Sequence, residues 1–292
     1  MLTYSIDKPL IHCNNVLGEC PLWDPTRQTL FWVDIDMGLL HEYHPTNLDL
    51  RVHQIGQKLG CIALTDTDQL LLATELGFAF YQPGDPPPAN FLEVIPQGMG
   101  SMFNDGEVSP DGEFWAGSKG PRGTSKLYCL SNNLTCSIRL ENISISNGIG
   151  WSLDGKYFFH TDSLDRAIYR YTLMGKGLTN KEIFYTPKKG TPDGLTIDSD
   201  GNLWAAIWDG SKVVQLSPDG EELGQILMPV SRPTSLVFGG ADLRTLYITS
   251  ASVDLTEKEK SAQPFAGALF SIRTQVIGLP SQLFNLRASP GY

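Results

Sequence analysis

Ser109-Pro-Asp-Gly-Glu-Phe114-Trp-Ala-Gly-Ser118 and Ser152-Leu-Asp-Gly-Lys-Tyr-Phe158-Phe-His-Thr-Asp162 are two copies of one pattern: a polar turn, then an apolar and aromatic strand. The pattern also occurs as Asp24-Pro-Thr-Arg-Gln-Thr-Leu30-Phe-Trp-Val-Asp34, Thr65-Asp-Thr-Asp-Gln-Leu70-Leu-Leu-Ala-Thr74, Asp198-Ser-Asp-Gly-Asn-Leu203-Trp-Ala-Ala206 and Gly240-Ala-Asp-Leu-Arg-Thr-Leu246-Tyr-Ile-Thr249. Aligned at Leu30, Leu70, Phe114, Phe158, Leu203 and Leu246, the copies lie 40, 44, 44, 45 and 43 residues apart. A period of roughly 40–45 residues in segments rich in β-branched and aromatic residues, bounded by Gly, Pro and Asp, is that of one four-stranded propeller blade. An open solenoid would need capping repeats, and none is visible. The expected fold is all-β: a six-bladed β-propeller of four-stranded antiparallel blades, with residues 1–292 as a single domain.

The first repeat predicts strands at Glu19–Asp24, Thr29–Ile35, Leu39–His44 and Leu50–Ile55. The sixth offers Thr234–Phe238, Leu246–Ser250 and Gly267–Arg273 but no good outer strand. Tyr4–Cys13 is the natural candidate to supply it, so the ring is expected to be closed by the N-terminal strand, which would remove exposed edges. Pro86-Pro87-Pro88 reads as a stiff outer loop and Thr256–Gln263 as an exposed loop inside the last blade.

Composition narrows the function classes. Hydrophobic residues make up 41% of the 292, enough for a large core, and charged residues only 18%. The formal net charge is −10 with no basic run, which argues against nucleic acid and anionic membrane as partners. Five cysteines without CxxC pairs argue against a disulfide framework; free thiols in a reducing compartment are the expectation, against a Cys129–Cys136 bridge. The first residues lack the basic and apolar regions of a signal peptide, and no apolar run reaches membrane-spanning length, so the expected location is cytoplasmic.

Residues at equivalent places near the start of each innermost strand should meet beside the channel. About ten residues before each alignment point stand Gly18-Glu19, Asn104-Asp105-Gly106, Asn147-Gly148 and Asp193-Gly194, against Leu59-Gly60 and Pro233-Thr234 in the other two blades. An Asx-Gly pair by itself is an ordinary turn. Carboxylates brought together out of water repel one another and resist desolvation, and a divalent cation offsets both. Carboxylate and amide oxygens without His or Cys suit a hard ion such as Ca²⁺, Mg²⁺ or Mn²⁺, with Zn²⁺ less expected from ligand type.

The same segments carry a resemblance. Gly18-Glu19-Cys-Pro-Leu-Trp23, Phe103-Asn-Asp-Gly106, Phe114-Trp-Ala-Gly117, Ser146-Asn-Gly148 with Trp151-Ser152, Pro192-Asp-Gly194, Gly201-Asn-Leu-Trp-Ala205 and Val237-Phe-Gly-Gly240, in that order, resemble the regucalcin/gluconolactonase/luciferin-regenerating-enzyme family. The resemblance implies a six-bladed propeller that hydrolyses a small-molecule lactone with help from one divalent cation (Ca²⁺, Zn²⁺, Mn²⁺ or Mg²⁺). It implies Glu19, Asn147 and Asp193 as metal ligands and Asn104 as a polar pocket residue near the reacting water or the substrate. Asp193 is the candidate general base, and Asn104 would orient water or stabilise an oxyanion. The chain departs from the pattern at Met102, where many sugar lactonases have Arg, and at Ser118-Lys-Gly-Pro-Arg122, where animal regucalcins carry an acidic residue. Met102 is expected to make one side of the substrate pocket apolar. Two other readings stand beside lactonase: a cation-binding regulatory or scaffold propeller without turnover, and an aryl-ester or phosphotriester hydrolase on the same metal. Asp34 and Asp162, which end second strands in equivalent places, are expected to hold blades together, and His160 to be a satisfied core histidine. Trp208-Asp209-Gly210 would be either a pocket rim or a plain turn.

Overall fold

The computed structural model describes residues 2–175 and 177–286, and six small sheets arranged in a ring account for nearly all of its regular structure. Blade one comprises Gly18–Asp24, Thr29–Asp34, Leu39–His44 and Asp49–Gln54, running antiparallel from the channel outward. Blades two to six begin with innermost strands Leu59–Thr65, Met102–Val108, Ser146–Trp151, Thr191–Ile197 and Pro233–Gly239. This is the six-bladed propeller expected from the repeat. The Ser-x-Asp-Gly turns recur for a local reason. Gly112 N–H donates to Ser109 O (2.8 Å) and Gly155 N–H to Ser152 O (2.9 Å), with both glycines at positive φ, +78° and +68°.

Burial falls from the axis outward. Every residue of Gly18–Asp24, Leu59–Thr65 and Ser146–Trp151 is buried, whereas the outer strand Asp49–Gln54 is largely exposed. An innermost strand is covered on both faces by neighbouring blades, and the second strands supply the filling. Trp115 of blade three meets Trp151 and Phe158 of blade four (centroids 5.5 and 5.0 Å), and Trp23 of blade one stacks on Tyr247 of blade six at 5.9 Å.

Ring closure meets the expectation in part: the N-terminal segment joins the ring, but its strand sits on another blade. Leu2–Ser5 pairs in parallel with Glu222–Leu227, so it lengthens blade five, not blade six. Blade six keeps three strands among the described residues, and the segment after Leu2–Ser5 runs along its outer edge, where Ile11 bridges Leu269 and Asn15 N–H donates to Gly267 O at 2.8 Å. The chain reaches blade five first, and it has only a few residues left to cover blade six before turning into Gly18–Asp24. The other closure comes from the C-terminal segment, which the sequence reading left unassigned. Ile277 O accepts from Ser199 N–H, Gly278 N–H donates to Leu243 O, and Ser281 Oγ donates to Trp23 O; Leu283–Phe284 then pairs with Leu64 and Thr65. Residues 277–286 thus strap five, six, one and two together at the end of the channel where innermost strands turn into second strands.

Two further expectations are corrected. Glu257–Ala262 is a helical turn, not a loop; Thr256 and Glu259 form a capping box whose Thr-x-x-Glu signature was legible in the sequence. Asp34 accepts from Val16 and Leu17 N–H, and Asp162 from Ser144 and Ile145 N–H, so each holds the segment leading into its own blade's innermost strand. All five cysteines are free.

Blade one also carries a small buried ionic network. Glu42 accepts from His53 (2.8 Å) and His44 (2.9 Å), and the hydrogen bond from His53, followed by that from His44, holds its carboxyl below the ordinary 4.5. A depressed carboxyl contributes stability above its unfolded value, and that contribution is lost as pH falls through the folded value. Glu42→Gln is expected to cost about 1.5–3 kcal/mol at pH 7, with the gap to wild type narrower at pH 3. Urea unfolding at both pH values checks this; a pH-independent gap would assign the loss to packing instead.

Candidate active site at the channel mouth

All six innermost strands break register at the same level: between Glu19 and Leu22, Leu59 and Cys61, Phe103 and Gly106, Asn147 and Ile149, Pro192 and Leu195, and Pro233 and Leu236. A bulge adds one unpaired residue and re-aims its side chain. Here six bulges form a ring, and four of them carry the polar residues read from the sequence. Glu19, Asn104, Asn147 and Asp193 line one cavity of about 450 Å³ together with Asp36, Lys119, Ser163, Trp208 and several apolar residues. Each of the four is at most 5% exposed.

At two of the bulges, Asn147 and Asp193, glycine follows the polar residue and lets neighbouring blades approach. A Cβ on Gly148 would lie 2.7 Å from the backbone oxygen of Asp193 and 2.8 Å from Thr161 Oγ1. Asn147 and Asp193 reach the same centre because blades four and five approach this closely.

Hydrogen bonds fix the amides. Asn147 Nδ2 donates to Ser163 Oγ (2.8 Å), whose hydroxyl donates to Pro192 O (2.8 Å). That relay turns Asn147 Oδ1 the other way, where it accepts from Asn104 Nδ2 at 2.7 Å. Asn104 Nδ2 also donates to Ser146 O at 3.0 Å. Both amide hydrogens of Asn104 are therefore used, and what it presents to a ligand is its Oδ1 acceptor. The expected oxyanion role has no donor left in this arrangement; the expected water-orienting role does have its acceptor.

The carboxylates are poorly satisfied. Glu19 Oε2 accepts from Cys20 N–H at 3.0 Å, and Asp193 Oδ1 is buried with no partner. Burial first, then the charges of Asp193 and Asp105, pushes the Glu19 carboxyl well up; burial and Asp105 do the same to Asp193. Asp105 itself is raised to about 6 by burial, and Glu107, deeper along the channel, to about 7. Among the described residues no three His, Cys, Asp or Glu side chains gather as a metal-binding group. The candidate ligand set is two carboxylates and one amide. An orphaned buried carboxylate oxygen, a second buried carboxylate in the same cavity and an amide oxygen turned inward suit a hard cation.

The mouth comes from the ends of the second strands, a source the sequence reading used only for Trp208 and the Ser118–Arg122 segment. Asp36, Lys119, Ser163, Leu164, Trp208 and Val253 all stand at or just after a second strand and line the cavity. Their signal was available as a shared repeat position following each alignment strand. Met102 behaves otherwise than expected: it packs in the apolar cluster of blades one to three and is not part of the cavity wall, while its cross-strand partner Lys119 is. Arg232 stacks on Trp208 at 4.8 Å and pairs with Asp209 at 2.9 Å, which holds the rim on that side. His160 is buried against Ser146 Oγ (2.7 Å), and burial lowers it to about 3, so it is the satisfied core histidine expected.

Residues 17–252 match the model of the SMP-30/gluconolactonase/LRE-like region. The chain belongs to this family. It is 34% identical to the 6-deoxy-6-sulfogluconolactonase of Pseudomonas putida over 95% of this chain and 98% of that one, and 33% identical to the L-arabinolactonase of Azospirillum brasilense over 94% of each. The crystal structure of a calcium-binding protein, regucalcin, from Agrobacterium tumefaciens superposes with a TM-score of 0.92 at 26% identity, covering 97% of this chain and 99% of that one. No helix among the described residues is long and apolar enough to cross a membrane.

The close approach at Gly148 makes a direct test of the ring. Gly148→Ala is expected to lower unfolding free energy by about 1–3 kcal/mol, measured by chemical denaturation. An unchanged midpoint would mean that the inner strands shift freely and that the cavity geometry is not set by this contact.

Proposed function

We propose that this family member hydrolyses a small lactone and uses one divalent cation held by Glu19, Asn147 and Asp193. The observation that carries this is Asp193 Oδ1, a buried carboxylate oxygen without a partner beside a second buried carboxylate. Similarity to named lactonases along almost the whole chain supports the reaction class.

When bound, the cation would polarise the lactone carbonyl and favour the ionised forms of its ligands. The rest falls to the chain's own residues. Asn104 Oδ1 accepts a hydrogen bond from the attacking water and aims its lone pair at the carbonyl carbon. Asp193 takes the proton that the water gives up as the new C–O bond forms. The ring C–O bond then breaks, and the alkoxide receives that proton, leaving the open-chain hydroxy acid. The Ser163 relay keeps Asn147 Oδ1 pointing inward throughout. Ile145, Leu164 and Val253 narrow the mouth and limit water around the reacting atoms.

Calorimetric titration with Ca²⁺, Zn²⁺, Mn²⁺ and Mg²⁺, paired with a pH-indicator assay on lactones, aryl esters and phosphotriesters, tests the reading. Asn147→Ala is expected to abolish measurable cation binding. Asp193→Asn, which keeps an oxygen but no base, is expected to bind the cation more weakly and to lose turnover by about 100-fold or more. Cation binding without turnover of any compound would favour the regulatory or scaffold reading; turnover confined to aryl esters or phosphotriesters would favour the third.

A further inference from the structure

We propose that Lys119 selects the substrate, by receiving an anionic substituent (a carboxylate or a phosphate) that the lactone carries away from its reacting carbonyl. The inference rests on the lactonase reading and adds to it a substrate class.

Lys119 is the one cationic residue among the described residues lining the cavity. It stands at the end of Phe114–Lys119, and its backbone is fixed on two sides: it pairs with Met102 within blade three and bridges Ile145 on the way into blade four. Gly120 N–H, donating to Ser144 O at 3.2 Å, ties down the next residue. The stem therefore leaves the wall at a set point of the mouth.

Its charge is left over. Among the described residues the Lys119 side chain makes no hydrogen bond or ion pair, although Asp36, Glu19 and Asp193 all act on it through space. Asp36, which shares the cavity wall, is already taken by Lys58 at 2.7 Å. Glu19 and Asp193 are balanced once a divalent cation lies between them. Burial lowers the lysine below its usual range, a penalty that a bound anion would relieve. Leu17, Ile145, Leu164 and Val253 make part of the same cavity apolar, so an anion reaching Lys119 would find less water to compete with it, while Asp254 on that wall would repel an anion bound away from the lysine. A neutral lactone would leave this cation half-buried and unpaired, which gives discrimination by the absence of a partner.

The experiment compares D-glucono-1,5-lactone with its 6-phosphate, and D-galactono-1,4-lactone with the carboxylate-bearing D-glucaro-1,4-lactone, on cation-loaded wild type, Lys119→Met and Lys119→Arg. Wild type is expected to favour each anionic lactone at least tenfold in kcat/KM. Lys119→Met should lose that preference through KM, with kcat on the neutral lactones unchanged, and Lys119→Arg should keep it. Calorimetry with 6-phosphogluconate and gluconate reads the same preference without turnover. Equal use of neutral and anionic lactones by wild type overturns the assignment. So does a Lys119→Met variant that loses neutral lactones or cation affinity equally, since Lys119 would then only balance the ligand carboxylates. A preference for phosphate alone or carboxylate alone upholds it and names the group. If wild type opens no lactone, the underlying reading fails and this proposal falls with it.

Discussion

Glu19 and Asp193 place two carboxylates in one water-poor end of the channel, and much of the surrounding structure is arranged around that repulsion. Neither has enough donors nearby to be stable as an isolated ion. Asp105, from a third blade, adds to the field and raises both. Two carboxylates buried side by side are unfavourable in a protein that holds nothing between them and favourable in one that holds a divalent cation.

Such a centre can be held only by a stiff frame. The ligand candidates come from positions 19, 147 and 193, each on a different sheet, and no local element sets the distance between them. The bulged innermost strands set it, and glycines at 148 and 194 allow adjacent strands to touch. The ring must also be shut. The aromatic contacts between blades, the short parallel strand Leu2–Ser5 and the C-terminal strap across the far end all resist opening of the ring. The strap binds the end opposite to the cavity, so the mouth stays open to solvent while the base is tied.

The site separates two kinds of residue by where they lie in the blade. Residues on the bulges of innermost strands face the axis and meet each other. Residues at the ends of second strands surround the mouth and meet whatever enters. The exchange between Met102 and Lys119 shows the difference. They are cross-strand partners on one blade, yet the methionine packs in the apolar cluster of blades one to three and the lysine lines the cavity. A change of charge at a second-strand end can alter what binds there without touching the axial centre.

The repeat of about 43 residues determined the fold class, because each copy can bury its faces only against a neighbour, and six copies close a ring. Shared register also made Glu19, Asn104, Asn147 and Asp193 legible as one group, since equivalent positions in a ring must converge. Thr256-x-x-Glu259 was legible too, as a helix start. The tertiary structure alone decided the rest. The terminal strands Leu2–Ser5 and Leu283–Phe284 find their partners through contacts between residues more than 200 apart, for which no periodicity exists. The Asn104 amide spends both hydrogens on Ser146 and Asn147, a matter of hydrogen-bond direction that residue type leaves open. Lys119 and not Met102 lines the cavity because the methionine is taken up by packing among blades one to three, contacts between sheets that the residues of one strand do not specify.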